Sequence, residues 1–312
     1  MQRRLIRPLL RNFAAPFGPD PSGVLFFVLM TKAKAYFQLL KFRLSLTVSF
    51  SSAIGYLLGA HELNWGRALL VLLGGLAVTG SANTINQIHE IDLDKLMKRT
   101  AKRPLPMGVL STTEAWVYAV LLGAFGLLLL GYFFNPLTAA LSLLSLILYG
   151  FIYTPLKTIS PICVAVGAIP GGMPPLIGWV AATGVLGVEA WILFGIQFMW
   201  QFPHFWAIAW VLDEDYKKAG FKMLPTPGGR DLRTAFQIMT YTLLLIPLSL
   251  LPLQFGMTGK TSALIAVVCG VLFLMQTFYL MRTCTKKAAM RIMFGSFLYL
   301  PIVQIALVFD KL

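Results

Sequence analysis

Only 12 of the 312 residues are acidic, and six of these fall in two short clusters. The first cluster reads NTINQIHEIDLDKLMKRTAKRPLP and sets Asn86, Glu90 and Asp94 at i, i+4 and i+8. On a helix each step of four residues turns 400°, so the three side chains line one face with roughly 40° of drift per step. Asp92 points away from that face. Stacked side-chain oxygens suit a hard cation. Mg2+ takes octahedral oxygen ligands, keeps several waters and is usually shared between one or two carboxylates and substrate phosphates. Lys95, Lys98, Arg99, Lys102 and Arg103 follow at once; Arg grips phosphate through paired donors and Lys as a point charge. The second cluster is Asp213, Glu214 and Asp215, followed by Tyr216, Lys217 and Lys218. Between the two, YGFIYTPLKTISP places Tyr153 and Lys157 at i, i+4.

What must position these residues follows from composition. The chain is 57% hydrophobic and 12% charged, about half the charge of a soluble protein, which carries roughly 25%. That excludes a water-soluble enzyme, and it excludes disorder, which needs few apolar residues. The chain reads as an all-α, polytopic membrane protein. A spanning helix needs about 20 mostly apolar residues, and nine runs qualify, near 44–60, 67–87, 115–134, 137–153, 162–182, 190–212, 236–256, 261–281 and 291–309. The third and fourth are parted only by Asn135-Pro136. With nine spans, 23 of the 26 Lys and Arg residues fall on the N-terminal side. By the positive-inside rule that side is the cytoplasm of a bacterial inner membrane, or the matrix of a mitochondrion. The same asymmetry accounts for the net charge of +14 without nucleic acid.

Residues 1–31 are a basic extension. MQRRLIRPLLRNFAAPFG has four arginines and no acid, as a transit peptide would, but lacks its serines. Met30 is a natural bacterial start. Residues 32–312 form a single membrane-embedded domain. Cys163, Cys269 and Cys284 match neither a disulfide framework nor a metal spacing and are packing residues.

All three chemistry-bearing segments lie on one side of the bilayer. They can converge on a cavity with two acidic walls, cations between them and an apolar interior below. Such a cavity suits a metal-bridged diphosphate with a long apolar tail. A bare DED at a membrane border is ordinarily interfacial, but Asn86 and Glu90 sit where buried polar groups are costly and functional.

The run N-x-x-x-E-x-x-x-D followed by M-x-R-T-x-x-R-P-L, Asn86 to Leu105, resembles the UbiA superfamily of intramembrane prenyltransferases, and within it the haem-directed branch. Two further segments carry the resemblance. WQFPHFWAIAWVLDEDYKKAGFKMLP supplies His204-Phe205-Trp206, Asp215-Tyr216, Ala219-Gly220 and Met223-Leu224-Pro225, and the pattern also runs from Tyr153 to Trp179. It covers residues 32–310. Most of the superfamily has Asp where this chain has Glu90, and a D-x-x-x-D where Val211 and Lys217 stand. The haem-directed branch shares both departures, which favours it over quinone or chlorophyll prenylation.

The resemblance implies a UbiA-like helical bundle with a central cavity, and a specific reaction. Farnesyl diphosphate is expected to bind through Mg2+ held by Asn86, Glu90 and Asp94 on one wall. Asp215, then Asp213, are the favoured residues on the other. Lys98, Arg99, Arg103 and Lys157 are expected to stabilise the departing pyrophosphate, with Tyr153 as a hydrogen-bond donor. A vinyl group of haem b then takes the farnesyl group, and water completes haem O. Partners implied are haem b, farnesyl diphosphate, membrane lipid and haem A synthase or oxidase-assembly proteins. Prenylation of an aromatic or quinone precursor is the alternative. A cation-coupled transporter would place its acids at the midplane of paired broken helices, and these hug one face.

His204 follows Pro203 among aromatic residues. It is either a haem-binding residue or a hydrogen-bonded brace in a Pro-kinked helix. Gly167, Pro170, Gly171, Gly172, Pro174 and Pro175 interrupt the fifth span, either as close helix contacts or as a broken helix lining a cavity.

Overall fold

The computed structural model describes residues 21–312, with side chains from residue 31 onward. Most of the expected basic extension 1–31 therefore lies outside the described residues. Among the described residues the chain is helical, with one isolated bridge between Thr258 and Lys311. The helices are α1 (Pro21–Leu40), α2 (Phe42–Gly59), α3 (Trp65–His89), α4 (Ile91–Leu96), α5 (Thr112–Phe133) and α6 (Pro136–Ile147). A π-helical turn (Leu148–Tyr153) leads into α7 (Thr154–Ile159) and α8 (Cys163–Thr183). Then come α9 (Val188–Lys218), α10 (Leu232–Leu248), α11 (Leu251–Gln254), α12 (Lys260–Thr283) and α13 (Lys286–Phe309).

Seven helical segments are long and apolar enough to cross a membrane, among them 65–89, 112–133 and 136–159. The Asn135-Pro136 break between the latter two is real: Asn135 caps α6 by accepting from the Thr138 N–H at 2.8 Å. The other two expected spans, 44–60 and 190–212, fall in α2 and α9, which fail that length-and-composition test. The reason is polar residues turned inward. Ser45, Ser49, Ser51 and Ser52 of α2, and Gln197, Gln201 and His204 of α9, are all buried. Bonded inside a bundle, such groups cost little, yet they lower the mean hydropathy of their helix. The outer helices show the reverse pattern, with Val120, Leu121, Phe125 and Leu128 of α5 exposed. An apolar surface of that extent needs lipid as its solvent.

The prolines of α8 do not break it; the helix runs unbroken from Cys163 to Thr183. Pro175 has no N–H for the Gly171 carbonyl four residues back. Gln197 and Gln201 of α9 both donate to that carbonyl instead, at 2.8 and 2.9 Å. Pro174 likewise frees the Pro170 carbonyl, which accepts from Ser145 at 3.4 Å. Small residues then bring backbones together. A Cβ on Gly178 would lie 1.8 Å from the Ser52 carbonyl oxygen, and one on Gly55 would lie 2.0 Å from that of Pro175. Of the two readings of this segment, the structure supports close helix contact.

On the N-terminal side of the bundle, α1 lies against α5 through a Lys32–Glu114 ion pair of 2.5 Å. The Tyr36 and Tyr118 rings meet nearby, 5.0 Å apart. A small apolar cluster of Ala35, Leu39, Ile88, Leu105, Leu110 and Ala115 ties this corner to the loop after α4.

Candidate active site

The first acidic cluster sits where α3 ends and α4 begins. Glu90 is the residue between the two helices, and Asp94 lies one turn into α4. Asn86, Glu90 and Asp94 are 2%, 4% and 0% exposed, so the one-face geometry read from their spacing is present. Asp92 points outward and pairs with Lys95 at 2.7 Å. The basic run then turns back. Thr100 donates to the Asp94 carbonyl at 2.9 Å, and Arg103 Nη1 reaches Asp94 Oδ2 at 2.7 Å. Lys98 and Arg99 remain exposed. The second oxygen of Asp94, Oδ1, is buried and has no hydrogen-bond partner in the protein.

Lys157 comes from the opposite wall. Pro155 denies the chain a donor and crowds the carbonyl four residues back, and the π-helical turn that precedes it is a distortion common at functional sites. This turn and α7 present Tyr149, Tyr153 and Lys157 at successive intervals of four. Lys157 Nζ donates to Glu90 Oε1 at 2.7 Å and lies 4.6 Å from the Tyr153 ring centre and 5.6 Å from that of Phe221. Gly167 makes room for the Tyr153 ring, since a Cβ there would be 2.6 Å from it. The loop after α9 closes on α7 through the Lys222 N–H, which donates to the Lys157 carbonyl at 2.7 Å. That contact explains why Phe221 and Met223 belong to the motif. Asn86 also reaches this wall, donating to Thr154 Oγ1 at 3.2 Å.

Lys41 is a site residue that sequence reasoning missed. It joins α1 to α2 in a left-handed conformation (φ 47°, ψ 52°), which is strained for a residue with a side chain. Its Nζ donates to Asn86 Oδ1 at 3.3 Å. Burial and the neighbouring Arg103 push its amine down to about 7, against the opposing pull of Glu90 and Asp94. The joint is held from α3: Gln87 donates to the Leu39 carbonyl at 2.9 Å, and Asn83 to Ser45 Oγ at 3.1 Å. The signal for it was indirect. Asn83, Asn86 and Gln87 inside an apolar span require polar partners, and the Ser45 hydroxyl, the Lys41 amine and the Leu39 carbonyl supply them.

In the second cluster Asp213, not the favoured Asp215, turns inward. Asp213 is 8% exposed and pairs with Lys217 at 2.8 Å and Arg230 at 3.3 Å. Glu214 is outside at 75%, and Asp215 keeps a loose 3.6 Å pair with Lys218. Helix phase decides this: Asp213 and Tyr216, three apart, share a face. Burial pushes the Tyr216 hydroxyl up, against the opposing charges of Arg99, Lys157 and Arg103, and its ring meets that of Phe221 at 5.5 Å. Lys217, standing where an acid of the D-x-x-x-D pattern would be, neutralises Asp213 instead.

Among the described residues no three His, Cys, Asp or Glu side chains gather around one point, so Asp213 and Asp215 do not close with Glu90 and Asp94 into a preformed cage. A Mg2+ site needs none, because one or two carboxylates suffice when phosphates and waters complete the shell. Glu90, Asp94 with its unpartnered Oδ1, and the Asn86 amide oxygen fit that ion.

His204 lies apart from this constellation. Ser296 Oγ already donates to the Met293 carbonyl at 2.7 Å, so at 2.8 Å it accepts from His204 Nδ1, leaving Nε2 as the acceptor nitrogen. The imidazole stacks on Trp200 at 4.3 Å. The aromatic stripe of α9 continues as a packing ladder, Phe194–Phe198–Phe202–Trp206, with steps of 5.2 to 5.4 Å.

Residues 48–300 match the UbiA prenyltransferase family. Over 280 residues the chain is 58% identical to a protein from Cytophaga hutchinsonii named protoheme IX farnesyltransferase, covering 89% of this chain and 98% of that one. A protein of the same name from Flavobacterium psychrophilum is 47% identical over 282 residues, covering 88% and 93%. Among solved structures, digeranylgeranylglyceryl phosphate synthase superposes with a TM-score of 0.73 at 23% identity, over 89% of this chain and 98% of that one. A UbiA homologue from Archaeoglobus fulgidus bound to DMAPP and Mg2+ gives 0.63 at 19% identity, over 87% and 98%. These two similarities establish the fold.

Proposed function

The chain belongs to the UbiA prenyltransferase family, and from that premise we propose that it transfers the farnesyl group of farnesyl diphosphate to a vinyl group of haem b. With one water consumed, the products are haem O and pyrophosphate. The observation that carries this reading is a pair of carboxylates and a pair of cations facing one another inside an apolar bundle, Glu90 with Lys157 and Asp94 with Arg103. The names of relatives up to 58% identical support farnesyl as donor group and haem as acceptor.

Asn86, Glu90 and Asp94, with Asp213 and Asp215 of the second cluster, would hold Mg2+, which when bound would neutralise the charge that grows on the leaving diphosphate. Arg103 and Lys157 bind the diphosphate oxygens, with Lys98 and Arg99 at the exposed rim. The Tyr153 ring holds Lys157 from below, and its hydroxyl donates to the leaving group. Apolar walls exclude water until the farnesyl carbon has met the vinyl group. The enzyme works in a bacterial inner membrane with this site on the cytoplasmic face, or in the mitochondrial inner membrane of a eukaryote. It passes its product to haem A synthase or oxidase assembly.

The test is a haem extract from cells that make no haem O, analysed by reversed-phase chromatography and mass spectrometry. Expression of this chain should yield haem carrying an added hydroxyethylfarnesyl group, and Asp94→Asn should abolish it. Unaltered haem b from correctly inserted protein would move the acceptor to an aromatic or quinone precursor, whose prenylated form the same extract would contain.

A further inference from the structure

Four cations crowd the turn between the last two long helices. Cys284 and Thr285 alone join α12 to α13. Arg282 ends α12, Lys286 and Lys287 begin α13, and Arg291 follows one turn later. All four are exposed. Not one of the 12 acids lies between Asp231 and Asp310. Asp231 is engaged at the start of α10, accepting from the Thr234 N–H at 2.8 Å and from Thr226 Oγ1 at 3.1 Å. The ion pairs found among the described residues all lie elsewhere. Arg291 rests on a ring instead, its guanidinium 4.9 Å from the centre of Tyr279, which holds it at the seam between the two helices.

The surface below the cations is apolar. On α13 the exposed positions run from Lys286 and Lys287 through Met290 and Arg291 to Phe294 and Leu298, a spacing that sets them on one face. On α12 Leu272, Met275 and Tyr279 lead up to Arg282 at the same intervals. Each strip is therefore charged at one end and greasy beneath. The depths suit a lipid molecule. A headgroup layer is roughly 5–8 Å thick, and Phe294, eight residues past Lys286, lies about 12 Å further along the helix. With Lys286 among headgroups, Phe294 is level with acyl chain.

Topology alone does not ask for this pattern. The positive-inside rule counts cations on a side of the membrane and is indifferent to whether acids neutralise them. Elsewhere on this border acids do so, Lys95 with Asp92, Lys217 with Asp213 and Lys218 with Asp215. The α12–α13 hairpin keeps four like charges together with no acid among them, an arrangement that an anion relieves.

We propose that this hairpin is a binding site for one anionic phospholipid. Arg282, Lys286, Lys287 and Arg291 take the headgroup phosphate, and an acyl chain lies along Phe294, Leu298 and the facing strip of α12. A soluble phosphate would use the cations and leave the apolar strip unused, so the strip selects the lipid. Attraction to an anionic surface amounts to about fivefold in affinity for each Lys or Arg beside it.

The experiment is native mass spectrometry of the detergent-solubilised full chain, titrated with phosphatidylglycerol or with phosphatidylcholine of the same acyl chains. A third arm adds inorganic phosphate to the phosphatidylglycerol complex. One phosphatidylglycerol should be retained at least about tenfold more tightly than phosphatidylcholine, as expected for more than one cation on the headgroup. Inorganic phosphate at the same concentration should not displace it. Lys287→Gln/Arg291→Gln should weaken phosphatidylglycerol by about 25-fold, two cations' worth, and leave phosphatidylcholine unchanged. Lys34→Gln/Lys102→Gln removes the same charge from exposed positions elsewhere and should leave both lipids unchanged.

Equal retention of the two lipids by the wild type would overturn the site. Displacement by inorganic phosphate would make it a soluble-anion site and overturn the lipid. Equal losses in the two double variants would trace the preference to net charge and remove the hairpin from it. The wild-type arms decide the first two outcomes even where a variant fails to fold.

Discussion

Lys157 and Glu90 stand 67 residues apart in the chain and 2.7 Å apart in space. Their contact fastens the end of α3 to α7, so it serves the architecture as well as the chemistry. Glu90→Ala leaves the ammonium buried without its counter-ion, at a cost of about 3–5 kcal/mol, and should lower the thermal midpoint and abolish haem O. The double variant Glu90→Gln/Lys157→Met should recover most of that stability and none of the activity. Thermal unfolding in detergent, run beside the haem extract, reads both; a double variant as unstable as Glu90→Ala would show that the pair does not fasten these helices.

Lys41 offers a case in which stability and activity part. Left-handed backbone costs an ordinary residue about 1–2 kcal/mol, and glycine adopts it freely. Lys41→Gly should therefore be at least as stable as Lys41→Ala, while both lose the amine beside Asn86 and with it most of the transfer rate. A glycine variant clearly less stable than the alanine variant would mean that the conformation is not strained.

At Gly167 the constraint is steric. An added methyl would meet the Tyr153 ring at 2.6 Å, and overpacking of that kind costs about 1–3 kcal/mol. Gly167→Ala should shift the ring from beneath Lys157 and slow transfer several-fold with insertion intact. Gly195→Ala is the control, because nothing lies within 4 Å of its Cβ; it should be neutral in the same rate assay. Equal losses in the two variants would remove Tyr153 from the explanation.

His204 separates a brace from a ligand. His204→Phe keeps an aromatic ring against Trp200 and loses the bond to Ser296, worth about 1 kcal/mol. The expected result is a modestly lower thermal midpoint, with haem O still formed and the haem absorption spectrum of the loaded protein unchanged. A shifted Soret band at an unchanged midpoint would instead identify His204 as an iron ligand.

The first acidic wall was legible in the sequence because the interval of four carries across the junction of α3 and α4, where the Glu90 N–H donates to the Asn86 carbonyl and the Asp94 N–H to that of Glu90. The Tyr153–Lys157 interval carried over for the same reason. Asp213 and Asp215 were both read from the sequence, Asp215 first because it aligns with the D-Y of the motif; that Asp213 shares a face with Tyr216 follows from their spacing. Lys41 was not legible. A lone lysine before an apolar run looks like a border charge, and its partner Asn86 comes from another helix, as do the Asn83 and Gln87 side chains that hold the flanking Ser45 and Leu39. The prolines of α8 left two readings open in the sequence, because the glutamines that satisfy the freed Gly171 carbonyl lie more than 20 residues downstream.

Those freed carbonyls have a mechanical consequence. A smooth apolar helix has little to stop it sliding along its neighbour, since one greasy contact replaces another. The Gly171 carbonyl, released by Pro175 and gripped by Gln197 and Gln201, is a notch on α8 into which α9 keys. Slippage by one helical turn, roughly 5.4 Å, would empty the notch inside a medium without water. Asp213 is carried on the same rigid rod, 12 residues or about 18 Å beyond Gln201. A backbone defect deep in the membrane thus sets the height at which the second acidic wall emerges at its surface.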